Sequence, residues 1–363
     1  MKKNIPQIEP IFGEEERIAL NTYMQEGGWV TEFKKTQELE NMIASYTGAK
    51  HCVMVNNGTV SLILAAIACD INQGDEVLIP NYTMVATPNS VKILGAKPVF
   101  VDIEDKSLCI DLNDAKKKLT SKTKALVLVS SNGRYPAIGI EKVKQFCLEN
   151  NLFLIEDAAQ SLGSFYPNKK HIGTEGIIGS FSFSPAKIIS TGQGGALITN
   201  NENIAKKLKY LKDFGRSKGG NDIHDYIGFN FKFTDIQAVI GIEQMKKLDE
   251  RVSKKKDIYH KYVSRLIDNK NFYLVKNDTE YTTPWFIELI SENRDELINF
   301  LSLNGIGTRV MYPPINKQKA YGENIKFPIS DMIGNKGLWL PSSVNLNQND
   351  IEYISTKIEE FYK

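Results

Sequence analysis

The chain has 363 residues, of which 42% are hydrophobic and 24% charged, and its formal net charge is only +2. That length can bury a large core, most naturally in two domains, and the composition is ordinary for a globular enzyme. The near-neutral charge, with lysine clusters confined to helix-like polar stretches, argues against a nucleic-acid-binding protein.

Cysteine and histidine usage excludes further kinds of site. The four cysteines lie in apolar runs without a CxxC pair, so we expect free, buried thiols rather than disulfides. The four histidines lack the spacing of metal ligands, and no metal site is predicted. The amino-terminal segment has no signal-like apolar region, and no run reaches membrane-spanning length. We therefore expect a cytoplasmic enzyme with neither a membrane nor nucleic acid as a partner.

Apolar runs alternate with helix-like segments through the first two-thirds of the chain. Residues 1–35 predict an arm with a helix at Glu14–Met24, and a second helix follows at 36–47. Seven runs then predict strands, at Cys52–Val55, Val77–Pro80, Pro98–Val101, Ala125–Val129, Phe153–Ile155, Ser180–Phe183 and Ala196–Thr199. Helices are predicted between them at Val60–Ala68, Thr87–Leu94, Leu112–Leu119, Ile140–Asn150 and Ala205–Phe214. This alternation predicts an α/β fold on a mostly parallel seven-stranded sheet with helices on both faces.

After about residue 245 the pattern changes to that of a small α+β unit. Residues 246–262 predict a charged amphipathic helix that bridges two domains. The remaining segments predict strands at Phe272–Leu274, Trp285–Leu289 and Thr308–Met311, and helices at Arg294–Leu303 and Asp350–Tyr362. The sequence therefore predicts a large domain at 1–245 and a small C-terminal domain at 246–363.

Polar residues gather where the predicted strands end, which is the edge at which parallel sheets bind ligands. They are Asn56–Thr59, Asn81–Met84, Ser130–Arg134 and Asp157–Gln160. The turn Asn57-Gly58-Thr59 opens a helix, so its backbone N–H groups can face an anion. A threonine is also a good helix cap, which explains much of the same pattern without a ligand.

The stretch from Phe153 to Asn200 carries the clearest chemical signal. Asp157 ends one predicted strand, and Ser182 and Lys187 follow from the next, just before a glycine-rich turn. A lysine amine can form a Schiff base, while a nearby carboxylate can keep a pyridinium nitrogen protonated. Taken alone, Lys187 is more simply a surface lysine and Asp157 a loop cap. The order of strand, acid, strand, hydroxyl, lysine and glycine turn is what favours a site.

This order resembles the active-site segment of the DegT/StrS family of sugar-nucleotide aminotransferases, which are fold-type I pyridoxal phosphate (PLP) enzymes. The family segment reads roughly E-D-A-A, then S-F-S-F-x-x-x-K, then T-G-E-G-G. The matching residues here are Glu156-Asp157-Ala158-Ala159, Ser180-Phe181-Ser182-Phe183, Lys187 and Thr191-Gly192-Gln193-Gly194-Gly195.

The resemblance implies a role for each residue around the cofactor. Lys187 would hold PLP and move protons, Asp157 would pair with the ring nitrogen, and pyridoxamine phosphate (PMP) would be the half-reaction form. Gln160 would reach the ring hydroxyl. The phosphate would be bound by Ser182 and the Gly58 and Thr59 amides, and Met84 stands where the family usually stacks an aromatic ring on the cofactor.

The segment from Gly228 to Ala238 resembles a family motif whose asparagine reaches the partner's PLP phosphate. Asn230 therefore implies a homodimer with shared active sites. Without the resemblance, this segment predicts a β-hairpin that leads into a core helix.

Substrate contacts are implied for Trp29, Asn132, Arg134, Arg309, Tyr312 and Asn316. Trp29 lies in a turn that helps form the substrate mouth in the family. The loop Ser130–Pro136 departs from the family's H-L-Y-G-H-P pattern, and the family's late P-L-H ends here in Asn316. Arg134 could meet a phosphate or carboxylate, or could be a solvated loop arginine. These departures surround the acceptor pocket and leave the acceptor open.

The implied function is transfer of the amino group of L-glutamate to a 4-keto-6-deoxy sugar nucleotide, for amino-sugar and surface polysaccharide synthesis. One alternative is an aminotransferase for a small keto-polyol or its phosphate. Another is a PLP-dependent sugar dehydratase, although the deoxygenating relatives replace the lysine by histidine. A PLP-binding sensor would not need Lys187, Asp157 and Ser182 together. A nicotinamide-dependent enzyme is disfavoured because no GxGxxG follows the first strand.

Overall fold

The computed structural model describes residues 4–217, 222–268, 270–322 and 324–363. Seven strands form a central sheet in the order β1-β7-β6-β5-β4-β2-β3. Their bounds are β1 His51–Val55, β2 Glu76–Pro80, β3 Lys97–Val101, β4 Thr123–Val129, β5 Phe153–Asp157, β6 Ile178–Ser182 and β7 Gly195–Thr199. The pairs from β3 across to β6 are parallel, whereas β7 is antiparallel to both of its neighbours. The predicted mostly parallel α/β sheet is confirmed.

Helices cover both faces of this central sheet. They are α1 Glu14–Gln25, α2 Lys34–Thr47, α3 Gly58–Ala68, α4 Ala86–Lys92, α5 Leu112–Lys117, α6 Ile140–Glu149, α7 Glu202–Lys212 and α8 Asp235–Lys246. Alternate residues of β4 enter two separate cores, Leu126 and Leu128 on one side, Val127 and Val129 on the other. A strand that is buried on both faces has a continuously apolar sequence, which is why the sequence predicts these strands.

A second, C-terminal sheet has four antiparallel strands in the order β10-β11-β9-β8. The strands are β8 Phe272–Leu274, β9 Ile287–Ser291, β10 Arg309–Val310 and β11 Gly337–Leu340. They pack with helices α9 Leu248–Arg265, α10 Arg294–Leu303, α11 Pro328–Lys336 and α12 Gln348–Phe361. The sequence analysis missed α11 and β11, because β11 is a four-residue run directly joined to a helix and offers no alternation to read.

The junction between the two sheets differs in detail from the prediction. The bridging helix expected at 246–262 is α9, which begins at Leu248 directly after α8 ends at Lys246. β9 begins two residues later than predicted, so that Trp285 and Phe286 precede it. The domain boundary at residue 245 stays a prediction.

The four cysteines are all buried and unpaired, which confirms the prediction of free thiols. In the described ranges, no helix has the length and apolar character needed to cross a membrane.

Candidate active site

The carboxyl ends of β2, β5 and β6 and the amino end of α3 surround an open cleft of about 1000 Å³. The structure brings together there the predicted strand-end segments that contain Gly58, Met84 and Asp157. The loop after β4, with Asn132 and Arg134, lies outside the cleft wall. The outer wall comes from β10 and the segment after it, between Arg309 and Ala320.

Lys187 lies in the loop after β6, and its half-buried side chain lines the cleft. Its Nζ lies 4.1 Å from the centroid of the Trp285 ring. Burial lowers the pKa of Lys187 to about 8; the carboxylate of Asp157 opposes this shift, and the Arg309 cation adds to it. Far more of this amine is neutral near pH 7 than of an ordinary lysine, and the neutral form is the nucleophile.

Asp157 ends β5 and is buried in the cleft. The Thr87 hydroxyl donates to Asp157 Oδ2 at 2.7 Å, and the Ala159 N–H donates to Oδ1 at 3.2 Å. Burial raises the pKa of Asp157, while these two hydrogen bonds and the Lys187 charge act in the opposite direction. A carboxylate that bears this burial cost gains from a cationic partner such as a pyridinium nitrogen.

Gln160 lines the same cleft, three residues after Asp157. Its Oε1 accepts a hydrogen bond from the Asn132 backbone N–H at 2.6 Å. Since the oxygen is the engaged atom, the group that Gln160 can offer to a ligand is the donor Nε2. A donor at this point suits a ring hydroxyl or phenolate.

The amino end of α3 forms an anion cradle with Ser182. The Asn57 side chain caps the helix by accepting from the Val60 N–H at 2.9 Å. The N–H groups of Gly58 and Thr59 precede the first intrahelical hydrogen bond, so they can bind an anion at the positive end of the helix dipole. A Cβ on Gly58 would lie 2.8 Å from Ser182 Cβ, so glycine is what keeps this space open.

These groups fit PLP in kind. The amine of Lys187 suits its aldehyde, the Asp157 carboxylate its ring nitrogen, Gln160 Nε2 its hydroxyl, and the cradle its phosphate. Met84 also lines the cleft, with 45% of its surface exposed, and its contact with the ring stays a prediction.

Arg309 and Tyr312, two of the expected substrate residues, line the outer wall. The Arg309 guanidinium lies 5.4 Å from the centre of the Trp339 ring, and the Tyr312 ring meets Trp339 edge-on at 4.8 Å. Burial raises the pKa of Tyr312, so its hydroxyl stays protonated and can donate to a substrate oxygen.

Asn132 and Arg134, both expected to contact the substrate, contact the C-terminal part of the chain in the structure, and a substrate role for them stays a prediction. Asn132 is buried in the left-handed backbone region (φ 54°), where its Nδ2 donates to the Phe286 carbonyl at 2.8 Å. Arg134 is neither at the cleft nor solvated, because it forms a buried ion pair with Glu288 of the C-terminal sheet. Both side chains are therefore used to join the loop after β4 to β9.

Asn316 is likewise buried outside the cleft wall, and the substrate role expected for it stays a prediction. Its Oδ1 accepts from Asn81 Nδ2 at 2.9 Å, and its Nδ2 donates to the Ile325 carbonyl at 2.6 Å. Trp29 and Asn230 are exposed and do not line the cleft of their own chain. The roles expected for these two residues at an active site stay predictions.

Sequence reasoning missed four residues of the site: Thr87, Trp285, Lys317 and Lys319. The sequence pattern predicts only the start of a helix at Thr87 and part of a strand at Trp285. The two lysines lie in an irregular segment without periodicity. No local signal distinguishes any of them, since tertiary packing brings Thr87 to Asp157 and the other three residues to the cleft wall.

Comparisons with known proteins agree with this geometry. The profile of the DegT/DnrJ/EryC1/StrS aminotransferase family matches residues 11–359. The GDP-perosamine synthase of Vibrio cholerae is 34% identical over 367 residues, covering 99% of this chain and 99% of that protein. The GDP-perosamine synthase of Escherichia coli O157:H7 is 33% identical over 367 residues, with 99% of each chain covered. The solved aminotransferase TlmJ from Streptoalloteichus hindustanus superposes with a TM-score of 0.93 at 26% identity, over 99% of this chain and 98% of that one.

Proposed function

Because the chain belongs to the DegT/DnrJ/EryC1/StrS aminotransferase family, and is therefore a PLP-dependent transaminase, we propose that it aminates a keto-sugar nucleotide. The amino donor is L-glutamate and the acceptor is of the 4-keto-6-deoxy type. The aminated sugar then serves the synthesis of a surface polysaccharide or another glycan. The observation that carries the proposal is the Lys187 amine beside the buried Asp157 carboxylate, in a cleft with a cationic outer wall.

The described residues have distinct tasks in this reaction. When bound, PLP supplies an electron sink that stabilises negative charge on the α-carbon of the donor. Lys187, with a pKa near 8, can take the proton from that carbon when neutral and give it up again when charged. Asp157, held by Thr87, keeps the proton on the ring nitrogen. The cradle at Gly58 fixes the phosphate and thereby the orientation of the whole group.

The charge of the cleft wall favours a nucleotide over a small neutral sugar. Its described residues carry four cationic side chains, Lys187, Arg309, Lys317 and Lys319, against one carboxylate, Asp157. A nucleoside diphosphate carries several negative charges and so meets a complementary surface, whereas an uncharged keto-polyol does not. We assign Arg309 to the donor carboxylate, because its charge acts on Lys187, and the two outer lysines to the diphosphate.

Asn230 and its surroundings support a homodimer with shared sites. Asn230 is exposed, and its neighbours Tyr226, Ile227 and Phe229 expose 47%, 89% and 43% of their surface. Exposed apolar clusters of this kind mark contact surfaces. The segment adjoins that of Trp29, since Glu32 accepts from the Phe233 N–H at 3.2 Å. A second copy that covers both segments would bring Asn230 to the phosphate cradle of its partner.

The test is a pair of half-reactions on PLP-loaded protein. L-glutamate should bleach the visible absorbance of the bound coenzyme, and the correct acceptor should restore it while an aminated product appears by mass spectrometry. The acceptor panel contains keto-sugar nucleotides, keto-polyol phosphates and free keto-polyols. Restoration by the small compounds alone would overturn the nucleotide assignment, and failure of every amino donor to bleach the coenzyme would overturn the transaminase function. Release of water instead of amination would identify the dehydratase.

The double variant Lys317→Gln/Lys319→Gln separates acceptor from donor. Loss of two exposed phosphate contacts should raise the KM for the sugar nucleotide about tenfold, with the glutamate half-reaction unchanged. The matched control is Lys116→Gln/Lys117→Gln, two exposed lysines on α5 remote from the cleft wall. An equal effect of both double variants would mean that only overall charge matters.

A further inference from the structure

Trp285 reaches from the C-terminal part of the chain to the lysine of the central sheet. Its ring centroid lies 4.1 Å from Lys187 Nζ. Its indole Nε1 donates to the carbonyl of Ala186, the residue before the lysine, at 2.7 Å. One side chain therefore contacts both the reactive amine and the backbone that carries it.

The Trp285 ring is held in place independently of Lys187. It is buried, with 5% of its surface exposed, and stacks on Phe286 at 3.8 Å between ring centres. Lys255 Nζ donates to the Trp285 carbonyl at 2.6 Å. Asn132 Oδ1 accepts from the Phe286 N–H at 2.5 Å. A side chain whose backbone and ring are both fixed from behind can impose a position on its neighbour.

We propose that Trp285 is a positioning residue whose ring face seats the Lys187 ammonium whenever that amine is free, while its indole N–H fixes the turn that carries the lysine. The inference rests on the aminotransferase function, in which the amine is displaced from the coenzyme and recaptured in each cycle. Attraction between a cation and the indole face is strongest where water is excluded. The seat thus keeps the displaced amine within reach of the reacting carbon.

An aromatic face suits this position better than a second carboxylate. Asp157 and Arg309 are the charged groups that act on Lys187, and Asp157 is committed to the coenzyme ring nitrogen when PLP is bound. A further carboxylate would hold the amine as an ion pair and prevent it from acting as a base. The indole stabilises the ammonium more weakly, so the proton can still leave.

The experiment compares Trp285→Phe, Trp285→Leu and the control Trp339→Phe. Trp339 is a buried neighbour whose ring lies 5.8 Å from that of Trp285, and its phenylalanine variant disturbs the packing beside Trp285 while keeping an aromatic face for Arg309. Competitive amine labelling of coenzyme-free protein, resolved by peptide mass spectrometry, gives the titration of Lys187. The wild-type midpoint is expected near pH 8.

Trp285→Leu should lower this midpoint by about one pH unit, because the cation–π contact is lost. Trp285→Phe keeps a ring, so its midpoint should move less. Loss of the hydrogen bond to Ala186 should still lower kcat about tenfold, with little change in KM for glutamate. Trp339→Phe should leave the midpoint unchanged. An unchanged midpoint in Trp285→Leu, or an equal shift in Trp339→Phe, overturns the proposal.

The experiment on Trp285 can fail independently of the test of the proposed aminotransferase function. If wild-type protein binds PLP through Lys187 and transaminates while the Trp285 variants titrate like wild type, only the seat is refuted. If glutamate fails to bleach the wild-type coenzyme, the aminotransferase reaction itself fails.

Discussion

Asp157 and Lys187 are side chains of opposite charge that share one buried site. Burial raises the pKa of Asp157 and lowers that of Lys187 to about 8. Both shifts favour the neutral forms, and each charge partly offsets the shift of the other. The pair therefore favours a ligand that brings a cation to Asp157 and an electrophilic carbon to Lys187.

Asp157→Asn is expected to lower kcat by roughly 10²- to 10³-fold, because an amide does not hold a proton on the ring nitrogen as a carboxylate does. Thr87→Val removes the 2.7 Å hydrogen bond to Asp157, together with the 2.9 Å hydrogen bond between the Thr87 and Thr83 hydroxyls, and should lower kcat about tenfold. Steady-state kinetics on protein with confirmed coenzyme content checks this order. Equal losses in the two variants would contradict the role given to Asp157.

A substitution at Gly58 tests whether the anion cradle binds the phosphate of PLP. Gly58→Ala places a Cβ 2.8 Å from that of Ser182, so the cradle must open and the dissociation constant of PLP should rise at least about tenfold. Pyridoxal, which lacks the phosphate, is the matched control ligand and should bind both proteins alike. The same loss for pyridoxal would indicate general distortion instead of a phosphate site.

At the scale of elements, the loop after β5 is built around the buried His171. Its Nε2 accepts from the Gly163 N–H at 3.0 Å, and its Nδ1 contacts the Ile172 carbonyl at 2.6 Å as donor. This pattern requires the neutral ring. Burial lowers the pKa of His171 to about 4 from its usual value of 6.5.

The histidine makes the stability of the protein sensitive to acid. Because the folded state binds the proton more weakly than the unfolded chain, stability is lost as the pH falls from about 6.5 to about 4. The loss from this one group should be roughly 2–3 kcal/mol. Denaturant unfolding of wild type and His171→Gln at several pH values measures it. The variant should be less stable at pH 7 yet lose less on acidification, and parallel curves would refute the assignment.

At the scale of the whole molecule, the proposed homodimer would divide each active site between two copies of the chain. Asn230 pairs through an isolated bridge with Asp213 and lies away from the cleft of its own chain. The segment of residues 229–233 is tied to α7, since the Lys212 carbonyl accepts from the Phe231 N–H at 3.0 Å and the Lys212 ammonium pairs with Glu32 at 2.9 Å. This segment can therefore present Asn230 outward in a fixed position.

Mixing inactive variants tests this division. Lys187→Ala and Asn230→Ala homodimers should each be impaired, because every site lacks one residue. A heterodimer has one complete site if Asn230 acts on the partner, so a fully exchanged equal mixture should regain about a quarter of wild-type activity. If Asn230 acts within its own chain, no site is complete and the mixture stays inactive. Co-expression with two affinity tags supplies the heterodimer, and its mass confirms the assembly.

The strands and helices of the central sheet could be predicted because each depends on residues that are close together in the sequence. Runs such as Ala125–Val129 are buried on both faces and therefore continuously apolar, and α3 and α5 between them begin at the polar caps Asn57 and Asp111. The same holds for the strand-end motifs at Gly58 and Asp157, since the carboxyl ends of parallel strands must meet at one edge. By contrast, β11 has four residues and forms only where β9 and β10 offer partners.

By itself, the sequence determined the sheet, the cofactor motif around Lys187 and the family, because each is carried by residues close together in the chain. Only the tertiary structure decided that Asn132, Arg134 and Asn316 are buried and bonded to distant parts of the chain, and that Trp285 faces Lys187. The physical reason is that a polar side chain is used by whichever partner lies nearest in space. Residues separated by about a hundred or more positions, such as Lys187 and Trp285, become neighbours only when the two sheets pack together.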